Sequence, residues 1–205
     1  MVEHVNDILG YKNLPYRGQS IKNCAACTAA GAVNLTIGRS DISSAIVAKT
    51  LGTGDNVKTM GEDTGSQTVN IRDYVTKQTG RRCEATANDI SLADAENWMR
   101  AKPEKTVFAV LASGNVPHDS ETKCHWLNAI LAGGVIRYFD FQPMRKSKCG
   151  GDFVGHANPA TSTKPFVGVI TQSQNGATNR QMHLADQAGV FDGSVKLTVI
   201  AFLPS

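Results

Sequence analysis

Long apolar runs are missing from this chain. No stretch approaches the ~20 residues of a membrane-spanning helix, so no membrane insertion is expected. Blocks of like charge are missing too. The 21 basic and 18 acidic residues are interspersed and the net charge is +3. One small basic cluster, Arg145-Lys146-Lys148, has no interleaved aromatics for base stacking, so nucleic acid is not expected as a partner. Proline is scarce, at 7 residues, and no repeat or low-complexity tract is present. Residues 1–15 lack a basic start followed by an apolar stretch, so they are not expected to form a cleavable secretory signal. What is present is a hydrophobic fraction of 41% over 205 residues, enough for one buried core and a single domain spanning 1–205.

The five cysteines, Cys24, Cys27, Cys83, Cys124 and Cys149, are odd in number, which in a chain of this size argues against a closed disulfide framework while leaving room for one bridge or two. At least one thiol is left over. A zinc site assembled from Cys124, His125, Cys149 and His156 matches no recurring ligand spacing, so no metal and no cofactor are expected.

The order of elements points to a fold class. Cys24-Ala-Ala-Cys-Thr-Ala-Ala-Gly-Ala-Val-Asn-Leu35 reads as a buried helix of small side chains, with Asn23 as its N-cap. Residues 41–51 fit a second helix, 52–68 a glycine-bearing loop, and 69–78 a third helix. Ser91 and Asp94 form the ends of a capping box that opens a helix over 91–101, with Trp98 in the core. Strands follow: a short one near 82–86, then 106–112, 125–131, 135–141, 166–171 and 195–203. The 106–112 run is continuously apolar, as in a strand covered on both faces, and Trp126 is expected to be a core residue. Helices first and strands later, without βαβ rhythm, predict an α+β fold: an N-terminal helical part packed on an antiparallel β-sheet.

Two places in this layout carry chemistry. The turn at Gly133-Gly134 can be set in more than one register, and a one-residue slip moves Asp140 to the other face; centred on the two glycines, it sets His125 opposite Gln142 and Leu127 opposite Asp140. Side chains alternate along a strand, so His125, Asp140 and Gln142 then share one face. His125 and Asp140 become diagonal neighbours roughly 7–8 Å apart at the backbone. A carboxylate beside an imidazole fixes its tautomer and stabilises the imidazolium, as a general base in acyl transfer requires. The second place is the start of the cysteine helix. A thiolate there is stabilised by the helix dipole and by amides that have no helical partner, and such sites lower a thiol pKa from ~8.5 into the range ~3.5–7.5. Cys24, as the first helical residue, also has its own amide available for an oxyanion. Cys27, one turn further in, is the alternative nucleophile.

These two segments resemble the papain-fold toxins of bacterial polymorphic toxin systems, a family described as predicted protein-glutamine deamidases. Asn23-Cys24-Ala-Ala-Cys27-Thr-Ala-Ala is similar to the family's N-C-x-x-C-x-x-A helix start. His125-Trp-Leu-Asn128-Ala, then Gly133-Gly134 and Arg137-Tyr-Phe-Asp140-Phe-Gln142, is similar to its H-x-x-N-A…G-x-V-x-F-x-D-P-Q segment, with Phe141 where the family has proline. The resemblance implies a papain-like cysteine hydrolase fold, with Cys24 as nucleophile, His125 as base and acid, and Asp140 orienting the imidazole. By analogy with papain, Gln19 is an oxyanion candidate, and Gln142 is a candidate to support the pair from behind. It further implies a secreted effector or toxin domain, forming all or the C-terminal part of its protein. Such a domain is delivered into a target cell, acts on a target protein, and is neutralised by a cognate immunity protein. Three alternatives share the scaffold: a cysteine protease, a transglutaminase, and a non-catalytic protein-binding module.

Overall fold

The computed structural model describes residues 24–39, 41–51, 60, 63–115, 122–141, 160–162, 166–173, 176–183 and 196–205. Helices α1 (Cys24–Ile37), α2 (Ser44–Leu51) and α3 (Thr64–Thr79) come first. Strands β1 (Cys83–Ala85) and β2 (Ile90–Ser91) lead to helix α4 (Leu92–Arg100). After it come β3 (Val107–Asn115), β4 (Thr122–Ala132), β5 (Val135–Asp140), β6 (Ala160–Ser162), β7 (Phe166–Ser173), β8 (Gly176–His183) and β9 (Lys196–Phe202). The class is α+β, as expected.

The main sheet is antiparallel, in the order β1-β9-β3-β4-β5-β6, with β2 also paired to β9. Strands β7 and β8 form a separate two-stranded ribbon. The long-range insertion of β9 between β1 and β3 makes it an interior strand of the sheet, in keeping with its almost uninterrupted burial.

Both faces of the sheet are covered, and strand alternation divides the core in two. Val107, Ala109 and Leu111 of β3, Trp126 of β4 and Ile200 and Phe202 of β9 pack against α1 and α3. Phe108, Val110, Ala112, Leu127, Ala129, Leu131 and Tyr138 pack on the other side against Ala95 and Met99 of α4. The apolar run in β3 thus has the two-sided covering that its sequence calls for. On the α4 side the buried Tyr138 hydroxyl donates to Glu96 Oε1 at 3.3 Å, and burial, reinforced by Glu96, raises its pKa so that the phenol stays protonated.

Local signals account for the element ends. Ser91 caps α4 by accepting from the Asp94 amide, and its hydroxyl donates to the Asp94 carboxylate at 2.6 Å. Helix α3 begins five residues earlier than its apolar pattern suggested, inside the stretch expected to be loop. Asp63 is the reason: its carboxylate accepts from the Ser66 amide at 2.7 Å, and that bond holds its pKa low. The β4–β5 hairpin turns through Gly133 and Gly134, both at positive φ (62° and 72°), the backbone a two-residue type I′ turn needs. Glu104 accepts both of their amides, at 2.8 and 2.7 Å. Pairing runs from Ala132–Val135 to Asn128–Phe139, the register expected for a turn centred on the two glycines.

Candidate active site

Helix α1 is buried on nearly every side, which its small residues allow. Two contacts fix it on the sheet. Asn128, with no solvent exposure, donates from Nδ2 to the Thr28 carbonyl at 3.0 Å and to the Phe108 carbonyl of β3 at 3.3 Å. One side chain therefore ties the helix to two strands. Gly31 sits against the same place: a Cβ there would lie 2.5 Å from Asn128 Oδ1 and 2.3 Å from Phe141 Cδ2. At the far end, Asn34 donates to the Ile42 carbonyl at 2.8 Å and secures the connection to α2.

These contacts set the direction of the helix. Thr28 meets Asn128, and about two turns on the Thr36 carbonyl accepts from Arg81 Nη2 at 3.0 Å, just before β1, whose Cys83 lines up through Phe202 and Val107 with Ile130 of β4. Helix α1 therefore runs the same way as β4, and its first turn lies toward the early part of that strand. Cys24 is the first residue of α1 and is half-buried beside the cluster that contains Trp126. Trp126 of that cluster is 1% exposed, and its Nε1 donates to Gln67 Oε1 of α3 at 2.8 Å.

The two cysteines of the C-x-x-C motif have different surroundings. Cys27 is 1% exposed and packs with Phe139 and Phe141. A substrate could not reach it without opening the core. Cys24, at the helix start, is the more accessible of the pair.

His125 is half-buried in β4 and pairs with Ala112 of β3. Strand alternation gives it the parity of Leu127, Ala129 and Leu131, which face α4. The residue with the parity of Trp126 and Ile130, on the α1 side, is its neighbour Cys124. Asp140 closes β5 and pairs with Ala160 of β6. Gln19, Gln142, Asn23, Cys149, His156 and the Arg145-Lys146-Lys148 cluster lie outside the described residues.

Two further polar residues converge at this end of the sheet. Cys124 pairs with Ser113, whose hydroxyl donates to Asp89 Oδ1 at 3.3 Å. Asp89 adopts a left-handed backbone (φ 59°), and its amide donates to Thr198 Oγ1 at 3.3 Å. Cys124 is exposed as a residue, yet its thiol is covered enough for burial to be the main cause of a raised pKa, followed by the nearby Cys24 and Asp89. Sequence reasoning missed Asp89 and the association of Cys124 with Cys24. The available hint for Asp89 was the Asn88-Asp89 pair, a dipeptide that tolerates left-handed turns. Among the described residues, no group of three or more His, Cys, Asp or Glu side chains is placed to hold a metal ion. No helix among them is long and apolar enough to cross a membrane.

No family model matches the chain, and no match to it was found among curated proteins.

Proposed function

We propose that this protein is a papain-like cysteine amidohydrolase that deamidates a glutamine side chain of a target protein. The observation supporting this is the placement of Cys24: it opens a buried helix lying along β4, with its first turn toward the strand segment that bears Cys124 and His125. In the proposed reaction the Cys24 thiolate attacks the carboxamide carbon, and amides of the first turn of α1 hold the oxyanion. His125 takes the thiol proton and returns it to the departing ammonia. Water, deprotonated by the same imidazole, then hydrolyses the thioester to a carboxylate and the free thiol. Asp140 orients the imidazole. Strand alternation gives His125 the α4 side, so its ring has to reach Cys24 around β4 rather than across a shared face.

The resemblance supplies the biological setting of the proposal: an effector or toxin acting inside a target cell, with an immunity protein covering the site. Protease and transglutaminase chemistry use the same thioester and differ in the leaving amine or in the nucleophile that resolves it. Incubating the full chain with candidate proteins and following them by mass spectrometry separates these reactions. Deamidation adds about 1 Da without fragments, proteolysis gives fragments, and transglutamination gives amine adducts. Cys24→Ala is expected to lower the rate by at least about 10³-fold, as loss of a nucleophile does. Cys27→Ala is expected to leave the reaction in place if the fold is kept. Full activity in Cys24→Ala would overturn the assignment.

A further inference from the structure

Cys124 was not assigned a role in the hydrolysis, yet it shares the α1 side of β4 with the proposed nucleophile. The direction of α1 is fixed by Asn128 bonding the Thr28 carbonyl and by Arg81, next to β1 at the Ile130 end of the sheet, donating to the Thr36 carbonyl, and this sends the helix start toward the early residues of β4. On that strand Trp126 and Ile130 face α1, and Cys124 has their parity. Both Cys24 and Cys124 carry free thiols. We propose that Cys24 and Cys124 are a redox pair that closes into a disulfide, linking the first residue of α1 to β4. The shared electrostatics of the two sulfurs are consistent with this, since Cys24 is one cause of the raised pKa of Cys124.

A peroxide is the oxidant. The Cys24 sulfur attacks a peroxide oxygen, the O–O bond breaks, and water leaves behind a sulfenic acid. The Cys124 sulfur then attacks the Cys24 sulfur. The S–S bond forms, the S–O bond breaks, and the hydroxide departs as a second water with the Cys124 proton. Two thiols and one peroxide yield one disulfide and two waters, with two electrons passing from sulfur to oxygen. Cys124, with its thiol held protonated, suits the second role better than the first. A disulfide needs Cα atoms within about 7 Å, so any adjustment falls on the first turn of α1, where the helix has fewest internal hydrogen bonds. If Cys24 is the nucleophile, the bridge shuts the enzyme off. The pairing itself does not depend on that reading.

The test treats the reduced full chain with hydrogen peroxide, blocks remaining thiols, and maps peptides under non-reducing conditions. The expected result is a reductant-sensitive Cys24–Cys124 peptide as the main product. In Cys124→Ser, Cys24 is expected to accumulate instead as a sulfenic acid that dimedone traps. Recovery of Cys24 joined mainly to Cys27, Cys83 or Cys149, or oxidised with no link to Cys124, would overturn the proposal. Because linkage is read directly, its failure is distinct from failure of the hydrolase assignment, which is read from activity.

Discussion

Asn128→Asp is expected to destabilise the protein by about 3–5 kcal/mol at pH 7, with a cost that grows with pH. The change is nearly isosteric, but it removes the donors that hold the Thr28 and Phe108 carbonyls. An ionised carboxylate would instead face two carbonyl oxygens at a position with no solvent exposure. The introduced carboxyl is therefore favoured in its neutral form, and its folded pKa rises above the unfolded value of ~3.9. The sign follows from linkage. Below pH ~3.9 the group is protonated in both states and the cost is smallest. Between ~3.9 and the raised folded pKa, the folded state binds more protons than the unfolded state, so stability falls by about 1.4 kcal/mol per pH unit. Urea unfolding of both proteins from pH 4 to 8 checks this. The stability difference should widen as pH rises; a difference independent of pH would mean that the buried amide is not what fastens α1 to the sheet.

Gly31→Ala carries the second large effect, and its sign opposes intrinsic propensity. In an exposed helix the change would stabilise by about 1 kcal/mol. Here the new methyl meets Phe141 Cδ2 at 2.3 Å and Asn128 Oδ1 at 2.5 Å. Neither yields easily, because Phe141 is 2% exposed and the Asn128 amide is bonded to two carbonyls. Overpacking of this kind costs about 1–3 kcal/mol. We expect a net loss of about 2 kcal/mol and a fall in Tm of roughly 4–8 °C. Because the strain pushes α1 off β4, the thiol reactivity of Cys24 should change with it. Equal or greater stability in the variant would show that α1 sits further from β4 than described.

The sequence revealed most about what is local. The small-residue helix, the Ser91 capping box and the Gly133-Gly134 turn each depend on neighbours within a few residues, and of the registers the turn allows the hairpin takes the one centred on the two glycines. The start of α3 was hidden because its first turn, Thr64-Gly65-Ser66-Gln67, has no apolar residue and relies on the Asp63 cap. Strand β8, with the polar sequence Gly-Ala-Thr-Asn-Arg-Gln-Met-His, gives no hydrophobic rhythm to detect. The candidate site was legible as residue types rather than as an arrangement. Alternation put His125 and Leu127 on one face, but with both faces of the sheet covered it gave no means of telling which face α1 would take. That is decided by long-range packing through Asn128 and Gly31. For the same reason Cys124, one residue from a singled-out histidine, went unassigned although it has the parity of the residues facing α1.

The central claim is that Cys24 is an activated thiol served by His125, and limited alkylation tests it most directly. The native full chain, reduced beforehand, is treated with iodoacetamide at about pH 6, and all five cysteines are mapped. An ordinary thiol with pKa ~8.5 is almost wholly protonated there and reacts slowly. Cys124 is expected to be slower still, because burial, Cys24 and Asp89 all raise its pKa. The account predicts rapid, selective labelling of Cys24 that His125→Ala abolishes. Slow and uniform labelling, or rapid labelling of Cys24 that survives His125→Ala, would contradict it.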